Sequence, residues 1–165
     1  MFNPHDSLWY IYYTARRATK SNTSVRTPIG VISSKDLIHW QFRGYCKFDG
    51  IGGTPDGAAT FWAPGITSYK GRLHMFVTWK PDTTSIRGFW GGPTILRHYE
   101  ASPDDPVTGW TLAGAMTDTT MAALDPTVYK IDGWFHLWFK AKKKGVPQYG
   151  LFLMVSKDMV HWEDK

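Results

Sequence analysis

Apolar and aromatic residues run in short blocks along this chain, each bounded by polar turns. The blocks LWYIYYTA (8–15), RLHMFVTW (72–79) and WFHLWFKA (134–141) are rich in β-branched and aromatic residues, which marks them as strands. Few long segments carry a 3.6-residue apolar period, and the strand alternation excludes a helical bundle. A second apolar block follows each of the three after a polar loop: TPIGVISS (27–34), GPTILRHYEAS (92–102) and YGLFLMVS (149–156).

The blocks repeat as a unit. SKDLIHW (34–40) returns as SKDMVHW (156–162), with five of seven positions identical. The middle copy ends on SPDDPVTGW (102–110), so a Trp closes all three units. Ser and Asp stabilise tight turns by accepting hydrogen bonds from nearby backbone N–H groups. The repeated turn is therefore read as scaffold, with each closing Trp packed between units. His39 and His161 are read as scaffold too. Two units also carry an earlier strand, starting at Trp62 and at Leu124 and containing Pro64 and Pro126.

Four strands in a unit of about 50–60 residues is the size of a propeller blade. The expected fold is all-β, with blades of four antiparallel strands at residues 1–49, 58–117 and 122–165. The first blade is expected to lack its innermost strand. Trp62 and Asp125 start the innermost strands of the other two and are expected to face a central pocket. An immunoglobulin-like sandwich is the competing architecture, but it would not repeat one turn and strand order at blade spacing.

Composition adds constraints. Nine Trp, eight Tyr and nine Phe offer flat platforms for sugars or bases. The net charge of +5 is scattered. Its one local cluster, Lys140 with Lys142, Lys143 and Lys144, reads as a solvated hairpin tip. No nucleic-acid partner is expected. No apolar run is long enough to span a membrane as a helix, so no membrane partner is expected either. Cys46 is the single cysteine, read as a partly buried structural thiol. The first residues lack the pattern of a signal peptide, which reads as a cytoplasmic chain. No Cys/His cluster has zinc spacing, and neither a phosphate loop nor a Gly-x-Ser-x-Gly elbow occurs. No metal and no cofactor are expected.

The segment FWAPGITSYKGRLHMFVTW (61–79) resembles the Trp-Ala-Pro second-blade segment of glycoside hydrolase family 43 and its relatives, the five-bladed propeller glycosidases. ALDPTVYKIDGWFHLWFKAK (123–142) resembles their Asp-Pro third-blade segment. The Ser-Lys-Asp-Leu-x-x-Trp turns are common in that group. YYTARR and TPIGVISSKDLIHW are also similar to the family 117 neoagarooligosaccharide hydrolases. The resemblance covers most of the chain and implies a partial five-bladed propeller. It implies an axial funnel with three acidic residues: a base on the first blade, a pKa-tuning Asp on the third and a general acid on the fourth. Asp125 matches the third-blade Asp, and Trp62 matches a pocket-wall aromatic.

The departures matter equally. Asp6 looks like a hairpin-turn residue, and Asn3 cannot accept a proton as a carboxylate does. The fourth blade with its acid is not in the sequence. Glycoside hydrolysis needs two carboxylates with pKa values pushed apart, and one Asp cannot fill both roles. Further candidates for binding substrate are Asp56 in a Gly-rich loop, Arg16 and Arg17 after the first aromatic strand, Lys140 in the matching place, and Trp79 and Trp90 for sugar stacking. Asp56 has a Pro-Asp-Gly turn as its plainer reading, the cations surface charge, and the two Trp core packing. Asp104 and Asp105 read as turn residues. The expected function is binding of plant or algal oligosaccharides or polysaccharide fragments or, if the site is completed, their acid/base hydrolysis by inversion. A non-catalytic carbohydrate-binding or assembly module and a plain interaction scaffold are the alternatives. The open first blade predicts a homo-oligomer that completes the propeller edge.

Overall fold

A computed structural model describes residues 1–15, 27–52, 60–80 and 94–165. They form three four-stranded antiparallel sheets and one short hairpin. The first sheet runs β1 (Phe2–Asn3), β2 (Leu8–Thr14), β3 (Ile29–Ser34), β4 (Gln41–Tyr45). A hairpin follows, of β5 (Lys47–Phe48) and β6 (Ile51–Gly52). The second sheet runs β7 (Thr60–Tyr69), β8 (Arg72–Lys80), β9 (Ile95–Ala101), β10 (Thr111–Ala115). The third runs β11 (Met121–Ile131), β12 (Trp134–Lys143), β13 (Gly150–Ser156), β14 (Glu163–Asp164). Strand order follows chain order in every sheet, as in a propeller blade.

Local chemistry sets the hairpins. Lys70-Gly71 and Asp132-Gly133 join the first two strands of the second and third sheets, and Asp49-Gly50 joins β5 to β6. All six residues have positive φ. That is the two-residue turn whose twist matches paired strands, and Gly and Asp tolerate it best. In the first sheet the same corner is wider, because Asn3 pairs with Leu8. Asp6 accepts hydrogen bonds there from Leu8 N–H and from the Tyr10 hydroxyl (2.6 Å), so it is a turn residue. The innermost strand expected to be missing is present as two residues, Phe2–Asn3.

The sheets stack face to face around two apolar cores. Tyr10, Ile29 and Val31 of the first sheet meet Phe61, Leu73, Met75, Val77 and Tyr99 of the second. Phe76 and Leu96, on the opposite face of the second sheet, meet Phe135, Leu137, Phe139 and Met159 of the third. The period of two in β8 thus feeds alternate residues to the two cores. Phe48 of the short hairpin fills the first core against Phe61 (4.2 Å) and Tyr99 (4.6 Å between ring centroids). Cys46 is fully buried there, and burial pushes its thiol pKa up, out of the nucleophilic range.

Inter-sheet hydrogen bonds repeat. Phe61 N–H donates to Thr27 O (2.8 Å), and Ala123 N–H donates to Thr94 O (3.1 Å). The first strands of the second and third sheets are in close contact at Gly65, where an added Cβ would stand 2.7 Å from Pro126 O. Only glycine permits that approach.

Candidate functional site

The first strands of the second and third sheets share an irregularity. Pairing of β7 with β8 breaks between Trp62 and Gly65, and pairing of β11 with β12 breaks between Leu124 and Thr127. Each break holds a residue followed by proline: Ala63-Pro64 and Asp125-Pro126. Proline has no N–H to give the ladder, so a bulge accommodates it. Ala63 has φ 46° and Asp125 φ 55°, both left-handed. Asp tolerates that region better than alanine does. Ala63 N–H donates to Thr14 Oγ1 (2.8 Å), tying the bulge to the first sheet. The structural partner of Asp125 in the second sheet is therefore Ala63, and that of Leu124 is Trp62.

Asp125 is exposed, with 59% of its side chain open to solvent. Its Oδ2 lies 3.9 Å from Lys140 Nζ, which also sits 4.9 Å from the centre of the Tyr149 ring. Lys140 stands opposite Leu124 across the ladder, so the bulge delivers the carboxylate to it. Such an exposed ion pair contributes at most about 1 kcal/mol to stability. What it places is a carboxylate, a cation and an aromatic ring side by side within β11, which begins at Met121 and not at Leu124 as the sequence predicts.

The other sequence candidates divide. Trp62 is buried, opposite Thr78. Trp79 is half-buried, and the Arg97 guanidinium lies over its ring at 3.3 Å. Arg97 also donates to the Tyr99 hydroxyl at 3.1 Å. Arg16, Arg17, Asp56 and Trp90 lie outside the described residues. Asp104 pairs with His5 (2.6 Å), and Asp105 accepts from Thr108 N–H and Oγ1–H, which holds its carboxyl below the ordinary range despite partial burial. Both are turn residues.

One constellation escaped the reading of the sequence. His74, His98 and Glu100 bring ligand atoms within 4.8 Å of one another between the second and third sheets. The signal was present as His-Tyr-Glu on a predicted strand. Only strand register brings His74 opposite it.

No family model matches the sequence, and a search of curated proteins finds no match. Solved structures do match. A family 117 glycoside hydrolase produced by the marine bacterium Zobellia galactanivorans superposes with a TM-score of 0.68 at 22% identity, covering 96% of this chain and 51% of that one. The Penicillium chrysogenum α-L-arabinanase complexed with arabinobiose gives 0.66 at 14% identity, over 96% of this chain and 44% of the other. The Hadza microbial sialidase Hz136 gives 0.69 at 16%, over 95% and 34%. The fold is that of the propeller glycosidases. The chain spans about half the length of the first of these hydrolases and less of the other two. At these identities the likeness establishes the fold and leaves the chemistry to the residues.

Proposed function

We propose that this chain is a propeller protein of the glycosidase type, like families 43 and 117, that presents Asp125 to an oligosaccharide. The observation that carries the reading is the left-handed bulge at Asp125-Pro126 on an innermost strand. Backbone strain of this kind costs about 1–3 kcal/mol and concentrates at functional sites. Here it aims a carboxylate out of the ladder beside Lys140. Asp125 serves as the pKa-tuning carboxylate of an inverting acid/base hydrolysis, and Lys140 bonds sugar hydroxyls or a uronate carboxylate. The general base and general acid come from outside the described residues. The second reading is a carbohydrate-binding module that keeps the pocket without the chemistry.

Completion of the ring by a second copy is part of the proposal. Ile131, Tyr129 and Leu151 leave an apolar face exposed on the third sheet, where the second sheet buries the matching face. The inner edge of β2 also lacks a partner beyond Tyr10 among the described residues. A cavity of about 480 Å³ between Met1, Tyr12, Pro64 and Ile66 lies along it.

The test is solution mass, followed by hydrolysis and binding across a panel of aryl glycosides and oligosaccharides. Asp125→Asn is expected to cut turnover at least about a hundredfold. Sugar binding without turnover would select the binding module. No affinity for any sugar would refute both readings.

A further inference from the structure

Between the second and third sheets three potential ligands converge on one face of the second sheet. We propose that His74, His98 and Glu100 form a binding site for a divalent transition metal of the zinc class. The site follows from strand pairing alone. His74 on β8 stands directly opposite Glu100 on β9, and His98, two residues earlier on β9, shares its face. Three side chains thus point the same way from neighbouring ladder positions.

The distances suit a small ion. His74 Nδ1 is 2.9 Å from His98 Nε2 and 3.6 Å from Glu100 Oε1. Ligands bonded to zinc at about 2.0–2.2 Å in tetrahedral geometry stand roughly 3.3 Å apart. An ion therefore enters by replacing the hydrogen bond between the two rings, with small shifts. Both imidazoles are buried, and desolvation lowers both pKa values, that of His98 to about 3.

The surroundings hold the ligands in place. The His98 ring stacks on Phe76 at 4.4 Å and 12°. Arg72 Nε holds Glu100 Oε2 at 2.9 Å, leaving Oε1 toward the rings. A cavity of about 420 Å³, lined by His98, Glu100, Met116, Met154, Met159 and Trp162, gives an entry path and room for a water as fourth ligand. Two imidazoles and one carboxylate favour zinc, cobalt, nickel or copper over magnesium or calcium.

The experiment is titration of the chelator-stripped full chain with Zn²⁺ by calorimetry, and with Co²⁺ by visible absorption. One ion per chain is expected, with the intense absorption of four-coordinate cobalt. Glu100→Gln, at a partly exposed position that tolerates the change, should weaken binding at least about tenfold. His98→Gln should do the same if circular dichroism shows it folded. The exposed pair His39→Gln and His161→Gln should leave binding unchanged. Absence of saturable binding, or binding that survives Glu100→Gln, would overturn the site.

Discussion

Two copies of one heptapeptide sit in the same turn and in different worlds. Ser34 Oγ accepts from Leu37 N–H at 2.9 Å, and Ser156 Oγ accepts from Met159 N–H at 3.0 Å. Asp36 Oδ1 accepts from the N–H groups of Ile38 and His39, as Asp158 Oδ1 does from Val160 and His161. The His39 and His161 rings close on the same carboxylates at 2.7 and 2.8 Å. These contacts hold both carboxyls well below the usual carboxylate range, the His hydrogen bond contributing most. Leu37 has φ 64° and Met159 φ 67°. Yet Leu37 is 52% exposed and Met159 only 1%.

The difference is a neighbour. Met159 lies in the core against the second sheet, and Trp162 meets Phe76 edge-on at 5.3 Å. Trp110, closing the middle unit, is buried against Tyr12 of the first sheet. Trp40 makes no ring contact among the described residues. The expectation that every closing Trp packs between units thus holds for Trp110 and Trp162 and fails for Trp40, because no described sheet lies beyond the first. Local hydrogen bonding builds the turn in either setting, and packing decides what the turn contributes to stability.

Paired substitutions would break this comparison most directly. Met159→Ala should cost about 2–5 kcal/mol by leaving a cavity, while Leu37→Ala should stay within about 0.5 kcal/mol. Urea unfolding measures both, and equal losses would mean that the first turn is also covered in solution. Such covering is what a second copy on the first sheet would produce.

Acid should separate the two turns next. Burial depresses the pKa of His74 and of His98, the latter to about 3, from an ordinary 6.5. The facing groups are Glu100, which raises that of His74, and Arg72, which lowers it. The unfolded chain takes up these protons first, so the stability they carry is complete above pH 6.5 and drains as pH falls toward 3. The loss is of order a few kcal/mol. It should register in the fluorescence of a variant retaining Trp162, beside Phe76, before one retaining Trp40. Simultaneous change at both would sink the distinction.

The smallest effect should be shared. Ser34→Ala and Ser156→Ala each remove a hydroxyl that accepts from two backbone N–H groups. Each should cost about 1 kcal/mol, equally at the two sites by thermal unfolding. A larger loss at Ser156 would show that burial amplifies the turn itself.

The strand blocks, the two-residue turns and the repeated Ser-x-Asp cap were all legible from residue order. Each depends on contacts within a few positions, and period-two alternation already names the two faces of β8. Asp125-Pro126 was legible as a segment but not as a bulge, because the break in pairing and the left-handed backbone arise only where β11 meets β12. The exposure of Leu37, the arginine lying on Trp79 and the meeting of His74 with His98 and Glu100 had no local signal. They arise where strands distant in sequence come together, and only the stacking of sheets determines which side chains meet and which are left facing water.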